Sequence, residues 1–166
     1  MTRVATMASS VTLCAAIALA GCGGSSAPTK SQYVAKANTI CASARKQTAP
    51  LIGQFRSAVG QLLGGGSKAP LVHVAAALTA ASSAALTKLE ALKQPSGDEA
   101  AIKRIIAPLH NVVGDLAKVG KAVASGDIAG ALAIFGREQS AKAMVVSAAD
   151  SYGVKSCATV LSGSAG

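Results

Sequence analysis

Between Ile102 and Val123, branched apolar residues recur with a period of three to four positions: Ile102, Ile105, Ile106, Leu109, Val112, Val113, Leu116, Val119 and Val123. That spacing belongs to an α-helix with one face turned to a core. Asp98 and Glu99 precede the stripe, where negative charge favours a helix amino terminus. Pro108 is a candidate bend within it.

Three further segments share this periodicity, each bounded by helix-breaking clusters. From about Ser31 to Leu63, ahead of Gly64-Gly65-Gly66, the stripe is Tyr33, Ala37, Ile40, Cys41, Ala44, Thr48, Leu51, Ile52, Phe55, Val59 and Leu62. Its phase survives Pro50, so this proline is expected to kink one long helix; two helices with a break there is the alternative. The next segment opens with Pro70 near its first turn. It carries Leu71, Ala75, Leu78, Ser82, Ala85, Leu89 and Leu92 at heptad spacing and ends at Gln94-Pro95-Ser96-Gly97. The last segment follows Ser125-Gly126-Asp127, with Asp127 as its amino cap. It runs through Ile128, Leu132, Phe135, Val145, Ala149 and Tyr152 and stops at Gly153. A short tail then passes Cys157, and residues 163–166 read as a disordered end.

Composition points the same way. Apolar residues make up 51% of the chain, yet the aromatics are only Tyr33, Phe55, Phe135 and Tyr152, and alanine dominates. Alanine is the best helix former, whereas sheets draw on aromatic and β-branched side chains. The expected fold is therefore all-α, a single domain over residues 31–162. Four helices with short connections pack as an up-down four-helix bundle.

Residues 1–21 have the order of an export signal: a charge at Arg3, the apolar run from Val11 to Leu19, then small residues. The run is too short for a permanent span, which needs about 20 apolar residues. It ends in Leu19-Ala20-Gly21-Cys22, where Ala20 and Gly21 suit a narrow peptidase site and a thiol at Cys22 can form a thioether. The tetrad matches the lipobox of bacterial lipoproteins, in which that cysteine receives a diacylglyceryl group before a peptidase cuts on its amino side. An ordinary secreted protein with a cysteine after Ala-Gly is the alternative. Two acyl chains on Cys22 would meet the two-signal requirement for stable anchoring. The expected location is the extracytoplasmic side of the cell membrane. Residues 22–30 read as the lipidated cysteine and a flexible linker. The eight residues after Cys22 span about 16 Å on average, which keeps the domain close to the bilayer.

With Cys14 in the removed segment and Cys22 acylated, Cys41 and Cys157 remain as an isolated pair. Outside the cytoplasm such a pair is most simply a disulfide. Two free buried cysteines, or a redox or metal pair, are the alternatives; the last has no CxxC spacing or clustered histidines behind it. In an up-down bundle the start of the first helix and the end of the fourth share one end. The expected bridge from the first helix to the C-terminal segment therefore agrees with the expected topology.

The lipobox, the segment Tyr33-Val34-Ala35-Lys36-Ala37-Asn38-Thr39-Ile40-Cys41, and Tyr152-Gly153 followed by Cys157 together resemble small, functionally uncharacterised lipoproteins of actinobacteria. The resemblance implies a cell-envelope setting and no particular activity.

Sixteen Lys and Arg stand against seven Asp and Glu, a net charge of +9. Loss of Arg3 with the signal leaves fifteen against seven, or +8. Anionic envelope lipids or polymers are the expected partners of such a surface. Nucleic acid is not, because the cations are scattered and no aromatic stacking set accompanies them. His73 and His110 lie on different helices, and Glu138-Gln139 interrupts the apolar face of the last helix, reading as a polar surface patch. No Glu-x-x-His, Gly-x-Ser-x-Gly or phosphate-loop pattern occurs. No catalytic residue, metal ligand or cofactor is expected. The chain reads as a non-enzymatic binding or scaffold module, with a carrier of an apolar ligand as the alternative. An enzyme would require Glu138, His110 and Asp115 to converge in a cleft.

Overall fold

Local signals set the helix ends. Thr29 accepts the Gln32 backbone N–H at 3.3 Å, and the Gln32 side chain accepts the Thr29 N–H at 2.9 Å, a reciprocal capping box. In this computed structural model, which describes residues 27–162, α1 therefore begins at Lys30, a residue that composition assigns to the linker. Residues 1–26, with Leu19, Ala20, Gly21 and Cys22, lie outside the described residues, as do residues 163–166. Helix α1 (Lys30–Leu63) passes through Pro50 without a break. Helices α2 (Ala69–Glu90), α3 (Glu99–Ser125), α4 (Ile128–Tyr152) and α5 (Lys155–Ser162) follow, and no strand occurs among the described residues.

Helices α3 and α4 stop on Gly126 and Gly153, whose φ angles of 87° and 100° are left-handed. Glycine adopts this conformation without steric cost, which ends a helix cleanly. Asp127 then accepts the Gly130 N–H at 2.8 Å and starts α4, so two adjacent residues close one helix and open the next.

The chain reverses at each connection, and the core gathers at the two ends. One cluster joins the start of α1, the end of α2, the start of α3, the end of α4 and α5 through Tyr33, Cys41, Leu89, Ile102, Val145 and Cys157. The other joins the opposite ends through Ala58, Leu71, Val74, Val119, Val123 and Ala131. The fold is the up-down bundle, with a disulfide between α1 and the C-terminal segment. Helix α2 is long and apolar enough to cross a membrane by length and composition. Here it packs between α1 and α3 and supplies Leu71, Val74 and Leu89 to the two clusters.

Two features depart from the expected bundle. The tail after Gly153 forms α5, because Val154, Cys157 and Ala158 present a buried apolar face. This helix packs on both α4 and α1, while α1 and α4, the pair that would close a ring of four, barely meet. The buried face of α4 is also turned. Leu132 is 61% exposed, and Ala131, Glu138, Val145 and Tyr152, spaced by seven, are buried.

Candidate ligand-binding cleft

The space between α1 and α4 is closed at both ends and open in the middle. At one end α5 lies across the seam. At the other the Phe55 and Phe135 rings meet edge to face, 5.5 Å between centroids. Between them lies a cleft of about 420 Å³, floored by Leu78, Ser82, Val112 and Leu116. It adjoins a smaller, almost wholly apolar chamber of about 80 Å³, reached past Thr48, Ser82 and Leu161, which line both. The larger volume falls within the roughly 300–1,000 Å³ of small-molecule sites.

Glu138 lines this cleft at 3% exposure. The expectation that Glu138 and Gln139 form a polar surface patch is therefore corrected: Gln139 is exposed, but Glu138 occupies a core position of α4. Its Oε1 is paired with Lys142 Nζ at 3.1 Å, one turn onward on the same helix. Its Oε2 is buried and has no hydrogen-bond partner among the described residues. A buried acceptor left unpaired typically costs about 1–3 kcal/mol. Arg56 on α1 and Gln139 on α4 stand at the cleft's margin. Helical period alone hides this site. The strict seven-residue spacing from Ala131 through Glu138 to Val145 is the signal that places the carboxylate inward.

The other polar candidates are dispersed. His110 pairs with Glu90 at 2.6 Å on the surface, Asp115 with Lys118 at 2.7 Å, and His73 is exposed. Glu138, His110 and Asp115 thus have separate surroundings and do not converge. Among the described residues no group of three or more His, Cys, Asp and Glu side chains comes together to hold a metal ion.

Two sets of contacts hold the wall made by α5. Cys41 and Cys157 are bonded, with Cα atoms 4.9 Å apart, inside the usual range for disulfides. Asn38, one turn before Cys41, donates to the Gly153 carbonyl at 3.2 Å and accepts the Ser156 N–H at 2.8 Å. Asn38 thereby clamps the α4–α5 turn and satisfies an amide at the start of α5. Nothing in the periodicity distinguishes it from an ordinary surface asparagine.

Next to this clamp, Tyr152 donates to Asp98 at 2.7 Å, meets Tyr33 edge to face and lies under the Lys30 ammonium at 4.4 Å. Burial first, then the hydrogen bond to the Asp98 carboxylate, push the Tyr152 phenol above its ordinary value; burial does the same to Tyr33. A proton held more tightly in the folded state means that stability is complete below about pH 10 and falls as the pH rises beyond it. Tyr152→Phe is expected to cost on the order of 1.5 kcal/mol at pH 8 and to flatten the alkaline decline. Urea melts of both proteins from pH 8 to 11 read the difference, and parallel declines would disconnect Tyr152 from it.

A second concavity, wider and more open, runs between α3 and α4. It is lined by Lys30, Lys103 and Arg104 together with Met144, which is 59% exposed. Lys30 is the first residue of α1, so this basic groove lies beside the point where the amino-terminal segment joins the bundle. No protein-family profile, curated protein or solved structure matches this chain.

Proposed function

We propose that the protein is an exported lipoprotein, acylated at Cys22, whose bundle is a non-enzymatic binding module with a small-molecule seat between α1 and α4. The sequence from Arg3 to Cys22 supports export and anchoring. The cleft carries the binding reading: a bundle built only as a scaffold would close its middle as tightly as its ends. Its floor and inner chamber are apolar, which favours the carrier reading over that of a bare scaffold. The basic groove beside Lys30 supports contact with anionic lipid or polymer at the surface the tether reaches.

Binding of a fluorescent apolar naphthylamine by the mature protein tests the seat. Saturable binding is expected, at least tenfold weaker in Ser82→Leu, whose added side chain fills the point where cleft and chamber meet. Equal binding by the two proteins would remove the cleft as the seat. Mass spectrometry of the native mature protein tests the anchor. The expected mass carries a diacylglyceryl group on a chain beginning at Cys22, and an unmodified amino terminus would refute it.

A further inference from the structure

Glu138 gives the seat a polar end. We infer that the cleft takes a single-chain amphiphile whose head carries both a hydroxyl and an anionic group, the hydroxyl donating to Glu138 and the chain running over the cleft's apolar floor with its end in the apolar chamber. This inference rests on the cleft being the binding seat.

The hydroxyl follows from the unpaired oxygen. Glu138 Oε1 is taken by Lys142, and Oε2 has no donor although it is buried and its residue lines the cleft. The terminal carboxyl torsion is soft, so the group can turn Oε2 onto a donor brought in by a ligand without moving the helix. A hydroxyl supplies that donor without adding charge.

The anionic group follows from the charge balance. Lys142 offsets the charge of Glu138, and Arg56, on the facing helix, makes no hydrogen bond or ion pair among the described residues. The cleft therefore holds two cations against one carboxylate, and a cationic head would meet net repulsion. A guanidinium at the margin is suited to a carboxylate or phosphate. The chain follows from the lining: Leu86, Leu109, Val112 and Val113 surround the chamber beyond Ser82, with hardly any polar surface.

The probes are 3-hydroxydecanoate and decanoate, titrated calorimetrically into the mature protein in nanodiscs, with empty nanodiscs as the blank. The wild type is expected to bind the hydroxy acid roughly tenfold or more tightly than decanoate, the difference made by one hydrogen bond to a charged acceptor. Glu138→Leu is expected to keep decanoate binding and erase the preference. Arg56→Gln is expected to weaken both acids alike and reduce the salt dependence of binding. Ser82→Leu should bind neither; Ala85→Leu fills the chamber from the next turn if that variant does not fold. Glu138→Met, which likewise has no oxygen acceptor, is the substitute should Glu138→Leu not fold.

Equal affinity of the wild type for the two acids, with both lost in Ser82→Leu, overturns the hydroxyl assignment and leaves the cleft as the seat. A preference that survives loss of the Glu138 carboxylate overturns it as well. Binding that Arg56→Gln leaves unchanged overturns the anionic half. No binding of either acid by a protein that still binds the naphthylamine overturns the inference alone; no binding of acids or naphthylamine, or binding that filling the cleft does not reduce, overturns both the inference and the reading beneath it.

Discussion

Breaking the Cys41–Cys157 bridge is expected to lower stability by up to about 4–5 kcal/mol. The bond spans 116 positions, and closing so long a loop removes much of the freedom of the unfolded chain. Cys41→Ser and Cys157→Ser should each lose nearly the full amount, and the double variant should lose little more, since either substitution already opens the loop. Urea melts of the four proteins read this directly. Additive losses would mean that the two sulfurs act separately.

The loss has a local component as well. Eight residues make a helix far too short to persist alone in water, so α5 depends on its docking. Without the bridge, that docking rests on the two hydrogen bonds of Asn38 and on the packing of Val154, Ala158, Val160 and Leu161. The amides of Cys157–Ser162 should then exchange with solvent well before those of α3. Because α5 is also one wall of the cleft, opening it should weaken ligand binding, whereas loss of global stability alone would not do so at temperatures where the bundle remains folded.

Most of the architecture was legible because helix boundaries are written locally. Gly126, Asp127 and Gly153 end and begin helices by their own backbone preferences and side-chain reach, and Pro70 opens one. The Cys41–Cys157 pairing follows from counting thiols on the expectation of an oxidising compartment. The cleft was hidden for the opposite reason. It is an absence of packing between α1 and α4, whose seam α5 crosses at one end by packing on both. No local pattern states their distance. Helix α4 added to the difficulty, since small residues surround it and leave the buried side ambiguous. Leu132 fits the apolar stripe and faces solvent, whereas Glu138 breaks the stripe and faces inward. The carboxylate was visible as an interruption, but its depth follows only once its neighbours are in place.

A matched pair of truncations measures whether the middle of the bundle is as open as the ends are closed. Ile102→Ala and Leu116→Ala each remove three carbons from α3. Ile102 is 1% exposed within the cluster that surrounds the disulfide, so its loss leaves a cavity in tightly packed surroundings and should cost about 3–4 kcal/mol. Leu116 is half-buried on the floor of the cleft, where fewer atoms contact it and existing space is merely enlarged. Its truncation should cost about 1 kcal/mol, near the transfer value for partly covered methylenes. The contrast isolates packing from chemistry, since helix propensity changes little between the two substitutions. Equal costs would show that side chains from α1 and α4 close over Leu116 in solution. Unequal costs, joined to a smaller penalty at Leu116 when ligand is absent than when it is bound, would show that the bundle leaves its middle unfilled and that the ligand completes the packing.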